Sequence, residues 1–279
     1  MLLRADERWG SMTVNELKDK AKEIRKGIVS MVYESGTGHV GGALSSCDIL
    51  TVLFYSIMLH DPKKPDDPQR DRFVLSKGHC VEGYYNILAD MGYIEKEELK
   101  TFSKFQTRLI GHPNREIPGV EMNTGALGHG LSAACGMAKA GKILKEPYRV
   151  FCLMGDGETE EGSIWESAMF AANYHLDNLY AILDRNMLQI SGPTEDVMQL
   201  EPLKDKWRAF GFDVYEADGN DIEELLDVFD RMMKADGKPK ILIADTIKGK
   251  GVSFMENQVK WHHGKMSDEE YSQAMQDLA

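Results

Sequence analysis

The sequence predicts an α/β fold, a doubly wound and mainly parallel sheet with helices on both faces. Two observations carry this. In the second half of the chain, short uninterrupted apolar runs alternate with helical segments, as strands buried on both faces must. No internal repeat, low-complexity tract or linker interrupts the 279 residues, and a chain of that length can enclose one large core. Residues 13–279 are therefore read as a single domain behind an N-terminal tail over 1–12.

Thr13 and Glu16 have the spacing of a capping box, and Leu17, Ala21, Ile24, Ile28, Met31 and Val32 recur at helical intervals, which predicts a helix over 13–35. The Gly-rich segment 35–42 follows, then a second helix over 45–59. Prolines and aspartates make 61–71 a loop. Residues 72–75 are a short strand, and the turn 76–79 opens onto another helix. Residues 95–105 are expected to be helical and 111–123 irregular. Residues 131–144, rich in Ala and Gly and free of Pro, suggest a tightly packed buried helix. Strands over 150–154, 179–183, 213–216 and 240–246 alternate with helices over 163–174, 203–210 and 222–235. The acidic stretch 267–277 reads as a solvated helix. Trp165, Trp207 and most of the sixteen methionines read as core packing.

A formal net charge of −12 disfavours a nucleic-acid partner, which needs a Lys/Arg surface. It leaves room for a small phosphorylated ligand, because backbone N–H groups and a bound cation can carry that charge locally. Cys47, Cys80, Cys135 and Cys152 form no Cys-x-x-Cys pair, so they suit a reducing compartment and not a zinc knuckle or redox dithiol. The first residues carry Arg4, Asp6, Glu7 and Arg8 and no signal-peptide core. No stretch approaches the roughly 18 apolar residues of a membrane span. The expectation is a cytoplasmic protein with no membrane partner.

The most informative segment is Gly155-Asp156-Gly157, directly after one expected strand, together with Asp184-Arg185-Asn186 after the next. Ligands of doubly wound sheets bind beyond the C-terminal strand ends, where adjacent strands would bring Asp156 and Asn186 together. A carboxylate and an amide oxygen are the hard donors that Mg²⁺ prefers, and Mg²⁺ keeps places for phosphate oxygens. Glycines on either side let a backbone approach a diphosphate closely. Gly-Asp-Gly by itself is equally the composition of a plain strand-to-helix turn. The distant Asn at a second strand end favours the metal reading.

The run 155–162 followed by Asp184-x-Asn186 resembles the thiamine diphosphate motif of that enzyme superfamily. Further segments narrow the resemblance to transketolases: 35–42 around His39, Leu75-Ser-Lys-Gly-His79, Gly111-His112-Pro113, 125–132, Gln189-Ile-x-Gly-x-Thr194 and Trp261-His-His-Gly264. The resemblance implies the thiamine diphosphate-binding fold in its diphosphate-type form. It also implies thiamine diphosphate and Mg²⁺ (or Ca²⁺ or Mn²⁺) as cofactors. The metal would be bound by the side chains of Asp156 and Asn186 and by the carbonyl of Leu188. Gly155 and Gly157 would hold the diphosphate, with Gly125, Leu127 and Glu158 among the cofactor contacts. His39, His79, His112 and His263 match channel histidines that contact cofactor and sugar hydroxyls and move protons, a task suited to imidazole. His262 is adjacent, and a swap with His263 stays open. His60 and His175, outside the motifs, read as surface or cap residues. Glu161 resembles a glutamate linking two cofactor sites across a dimer, and a solvated charge at a helix N-terminus describes it equally well.

The family also needs a pyrimidine-binding domain whose glutamate activates the cofactor, and no segment of this sequence is left for one. The expectation is therefore the N-terminal subunit of a split transketolase. It would work with a C-terminal subunit in an α2β2 assembly and transfer a two-carbon ketol unit between sugar phosphates. A truncated, non-catalytic cofactor-binding paralogue is the other explanation, and the intact motifs favour the first. Relatives of 1-deoxyxylulose-5-phosphate synthase and of 2-oxo-acid dehydrogenases are the enzyme alternatives. Two residues depart from the family pattern: His129 stands where long transketolases usually have Gln, and Val40 replaces a common Pro.

Overall fold

The computed structural model describes residues 12–279; the expected tail over 1–12, Met12 apart, lies outside the described residues. Helix α1 (Val14–Ser35) starts at the expected capping box. The Thr13 hydroxyl accepts from the Glu16 amide at 3.3 Å, and the Glu16 carboxylate accepts from the Thr13 amide at 2.7 Å. Gly36 ends the helix in the left-handed region at φ 70°, a conformation that costs glycine little.

The helix expected over 45–59 begins earlier and is divided. It forms α2 (Val40–Ser45), α3 (Cys47–Val52) and a π-helical turn, Leu53–Ile57. At the break the hydroxyls of Ser45 and Ser46 both donate to the Gly42 carbonyl, at 3.0 and 2.9 Å, competing with the backbone ladder. Helix α4 (Val81–Met91) follows β1 (Arg72–Leu75) as expected. The stretch 95–105 is helical only as a 3-10 segment, Lys96–Thr101, and Ser103 at φ 55° prevents its continuation.

The remaining strands are β2 (Val150–Gly155), β3 (Leu179–Arg185), β4 (Leu188–Gln189), β5 (Gly192–Pro193), β6 (Asp213–Asp218) and β7 (Lys240–Asp245). Five of them form one sheet in the order β1-β2-β3-β7-β6, every pair parallel. Side chains alternate across it. Phe151, Leu153, Tyr180 and Ile182 join one core with α1, α3, α4 and α9 (Ile222–Lys234). Val150, Cys152, Met154, Ala181 and Leu183 join a second core with α5 (His129–Leu144), α6 (Gly162–Asn173) and α8 (Leu203–Ala209), the last preceded by the short α7 (Thr194–Val197). The sheet is thus doubly wound, which explains why its central strands read as unbroken apolar runs. β3 runs two residues past the expected end, so Asp184 and Arg185 lie inside the strand.

Helix α5 is not buried all round. Its small residues Gly130, Ala134, Ala138 and Gly141 lie against the protein, while Ile143 and Leu144 are each 67% exposed. The neighbouring α6 likewise presents Met169 and Phe170 outward. The C-terminal helix α10 (Asp268–Asp277) is docked as well as solvated: Tyr271 stacks on Tyr33 with centroids 4.0 Å apart, and Ala274 is buried. His60 is no surface residue. It is buried, with its ring nitrogens 2.9 Å from the Tyr93 hydroxyl and 2.8 Å from the Phe54 carbonyl. All four cysteines are buried and free. Among the described residues no helix is long and apolar enough to cross a membrane.

Candidate active site

The parallel register pairs Gly155 with Asp184, so Asp156, one residue on, and Asn186, two residues on, both leave the sheet at the C-terminal edge of β2 and β3. Asp156 is buried there. Its Oδ1 accepts from the Gly157 amide at 2.8 Å and its Oδ2 from the Met187 amide at 2.6 Å. Asn186 donates through Nδ2 to Asp184 at 3.2 Å, while its Oδ1 accepts from the Leu188 amide at 3.1 Å. Asp184 thereby fixes the amide so that the nitrogen faces a carboxylate and the oxygen faces the other way. The segment after β3 folds into the β4–β5 hairpin, which carries Leu188. Arg185 tethers that hairpin through Thr194 Oγ1 at 2.8 Å, which accounts for the Gln189 to Thr194 motif.

Asp156, Asn186, Leu188, Gly155 and Gly157 all line one cavity of about 250 Å³, with Lys77, His79, Leu127, Glu158, Gln189, Lys248 and His262 among its walls. Burial, and then the charge of Asp184, push the Asp156 carboxyl up to about 6. A cation placed beside it would favour the ionised form. A side chain at position 157 would place its Cβ 2.6 Å from Gln189 Oε1 and 3.2 Å from Gln189 Cβ, so the glutamine would have to swing aside; at Gly155 the nearest atom, Lys77 Cβ, is 3.9 Å away. Among the described residues no group of three or more His, Cys, Asp or Glu is arranged to hold a metal. Asp156, Asn186 and Leu188 bring a carboxylate, an amide oxygen and a carbonyl to this wall, hard donors of the kind Mg²⁺ takes. These residues fit a divalent cation carrying a phosphate.

Beneath them lies a buried pair. Asp184, with no exposed surface, accepts from Ser45 Oγ at 2.7 Å, from the Lys77 ammonium, from Thr246 Oγ1 and from Asn186. Lys77 also donates to the Gly42 carbonyl at 2.9 Å. Glu158 lines the cavity, but both its oxygens are turned to the protein, accepting from Ser76 Oγ, the Gly128 amide at 2.9 Å and the Gly155 amide at 3.1 Å.

The histidines of four distant motifs meet. The His39 ring centroid lies 5.0 Å from His79, 6.4 Å from His112, 5.8 Å from His262 and 4.6 Å from His263. Gly125, at φ 137°, makes room for His112, whose ring a Cβ would meet at 2.6 Å. His262 and His263 both belong to the cluster, and His262 is the one that lines the cavity; His263 Nε2 is 3.2 Å from Thr37 Oγ1. Burial first, and then neighbouring positive groups, hold His39 down to about 4, His79 to about 2 and His262 to about 3, while burial also lowers His112. These four imidazoles are neutral near pH 7, each with one donor and one acceptor nitrogen. His129 is exposed at the start of α5, Nδ1 3.3 Å from the Leu127 carbonyl, and is not among the residues lining the cavity. Val40 opens α2, a first-turn position that proline also suits, so the departure keeps the backbone role. Glu161 caps α6 as an exposed residue.

Glu82 is a functional candidate that the sequence does not reveal, because a glutamate in the first turn of a helix carries no signal by itself. Its buried Oε1 accepts from the His39 amide at 2.7 Å, fixing the backbone of that histidine, and Oε2 has no hydrogen-bond partner among the described residues. Burial raises Glu82 from 4.5 to about 7. A raised acid contributes stability below its unfolded value and loses it as pH rises through the folded value, here between 4.5 and about 7. Glu82→Gln should therefore raise the urea midpoint at pH 8 by the equivalent of about 2 kcal/mol and change little at pH 5. Equal shifts at both pH values would contradict this assignment.

Residues 17–279 match the family model described as transketolase, thiamine diphosphate binding domain. The chain is 49% identical over 268 residues to an apulose-4-phosphate transketolase subunit of Phocaeicola vulgatus, covering 96% of this chain and 95% of that protein. It is 43% identical over 264 residues to the 6-deoxy-6-sulfo-D-fructose transketolase subunit SqwG of a Clostridium species, covering 94% of this chain and 96% of the relative. A solved transketolase from Campylobacter jejuni superposes with a TM-score of 0.90 at 32% identity, over 96% of this chain. The match spans 43% of that longer chain.

Proposed function

Because the chain belongs to the transketolase family and is a thiamine-diphosphate-dependent transketolase subunit, we propose that it forms the cofactor's diphosphate and metal site for two-carbon ketol transfer between sugars carrying an anionic group. The observation that supports this most is the convergence of Asp156, Asn186 and the Leu188 carbonyl on one cavity wall beside neutral histidines. Asp156, Asn186 and Leu188 would hold Mg²⁺, or Ca²⁺ or Mn²⁺ in its place, and Gly155 and Gly157 the diphosphate. Thiamine diphosphate, when bound, supplies the carbon nucleophile that carries the two-carbon fragment.

The protein's own part is orientation and proton movement. His39, His79, His112 and His262 are uncharged donor–acceptor groups, suited, with either His262 or His263 as the last of the set, to gripping sugar hydroxyls and passing protons. Residues 13–279 are read as one diphosphate-binding domain in the cytoplasm. The partner is a separate C-terminal subunit with the pyrimidine-binding domain, in an α2β2 assembly. This reading is supported by relatives that are themselves named as transketolase subunits and whose length the chain spans by 95 and 98%. One relative is named for apulose-4-phosphate and another for 6-deoxy-6-sulfo-D-fructose. Ketoses with a phosphate or sulfonate are accordingly the first substrates to assay.

The test is reconstitution. This chain and its partner subunit, with thiamine diphosphate and Mg²⁺, are expected to transfer the ketol unit from a ketose phosphate to an aldose phosphate. Each of the two chains by itself is expected to be silent. Cofactor binding without turnover across phosphorylated and sulfonated ketoses would sink the transketolase reading in favour of a binding protein.

A further inference from the structure

Lys248 is almost completely buried (2% exposed) in the cavity wall, and its placement is rigid. The loop carrying it turns at Gly249, φ 79°, whose amide donates to the Gly41 carbonyl at 2.9 Å. A Cβ at position 249 would lie 2.5 Å from the Met255 carbonyl oxygen, so the turn admits only glycine. The Lys248 ammonium hydrogen-bonds to two groups, the Leu188 carbonyl at 2.8 Å and His262 Nδ1 at 3.1 Å. Neither is an anion. Lys77, the other lysine of this cavity, is by contrast paired with Asp184.

The Leu188 carbonyl is the same oxygen that the proposed function gives to the divalent cation. An Mg²⁺–oxygen bond is about 2.1 Å, so an ammonium and a metal on one carbonyl can be no more than about 5 Å apart. Of the three positive charges this would gather in the wall, the Asp156 carboxylate offsets one and Asp184 is taken up by Lys77, so the remainder repel strongly unless a further anion lies with them. We propose that Lys248 makes metal binding conditional on the diphosphate: it opposes a bare divalent cation at Leu188 and favours the same cation when it arrives with a polyphosphate. The chemistry selects a metal–diphosphate complex as the ligand, loaded as a unit.

This inference rests on the metal and diphosphate reading above, and the experiment separates the two. Binding to the full chain, with its partner subunit present, is measured by calorimetry for Mg²⁺ alone and for the Mg²⁺ complex of thiamine diphosphate. Mn²⁺ alone is followed by its paramagnetic resonance signal. Lys248→Met is expected to bind the bare cation about tenfold more tightly and the cofactor complex about tenfold more weakly. Lys248→Gln keeps a donor for the Leu188 carbonyl but no charge, and should show the same opposed changes. A purely structural lysine would weaken both ligands, and that outcome, or an unchanged bare-metal affinity in both variants, overturns the proposal. If the wild-type protein binds neither the metal nor the cofactor complex, the site reading itself fails, and this inference with it.

Discussion

Asp156→Ala is expected to abolish Mg²⁺-dependent binding of thiamine diphosphate in the assembled enzyme while the chain stays folded. The substitution removes the carboxylate proposed to hold the metal together with Asn186 and Leu188. The loss should exceed the roughly 10–100-fold that removing a mere supporting group costs a metal site. Stability should change little. The Gly157 and Met187 amides lose their acceptor and Arg185 loses one of three carboxylate partners, keeping Glu195 and Glu201, but the protein is relieved of a carboxylate whose charge burial opposes. A melting shift within about 4 °C, or roughly 1 kcal/mol, is the expectation for a domain of this size. Calorimetric titration with the metal cofactor and thermal melting followed by circular dichroism read the two effects separately. Retained affinity would show that the Gly155-Asp156-Gly157 turn is structural and that the metal lies elsewhere.

The second large effect falls on folding. Asp184→Ala leaves the Lys77 ammonium, 1% exposed, with the Gly42 carbonyl and no carboxylate. Removing one partner of such a pair costs about 3–5 kcal/mol, because the other charge stays buried and uncompensated. Asn186, Ser45 and Thr246 lose a shared acceptor as well. Replacing both charges, Lys77→Met with Asp184→Leu, should recover much of that loss, since a well-packed apolar pair is often as stable as a buried ionic one. Urea unfolding of the single and double variants measures this. A single-variant loss below about 1 kcal/mol would mean that Lys77 finds another partner.

The sheet and the proposed metal donors are legible in the sequence for the same reason. A strand buried on both faces has to be a continuous apolar run, and its C-terminal edge has to end in a turn, so Met154 and Leu183 point directly to Asp156 and Asn186. The histidine set is legible only through its resemblance to a family, since nothing local distinguishes His79 or His112 from a structural imidazole. What stays hidden depends on contacts between distant segments. His262 ranks second to its neighbour in the sequence because adjacency does not say which ring faces a cavity. Lys248 sits in a plain Lys-Gly-Lys-Gly run, and its meaning comes from the Leu188 carbonyl brought to it by the hairpin. The break between α2 and α3 arises from two serines bonding back to Gly42, which periodicity does not register. The open face of α5 escapes a sequence reading because Ala and Gly pack well on one side and leave the other unspecified.

Asp184 joins partners that are 139, 107 and 62 residues away along the chain, at Ser45, Lys77 and Thr246. Local structure alone therefore cannot assemble this pocket. During synthesis no fragment that ends before β7 contains it, and a collapsed intermediate lacking any one of these segments lacks part of the network that holds Asp184 and, through it, Asn186. Cofactor capture then reports completion of the fold, and ligand binding draws its stabilisation from the fully native state alone.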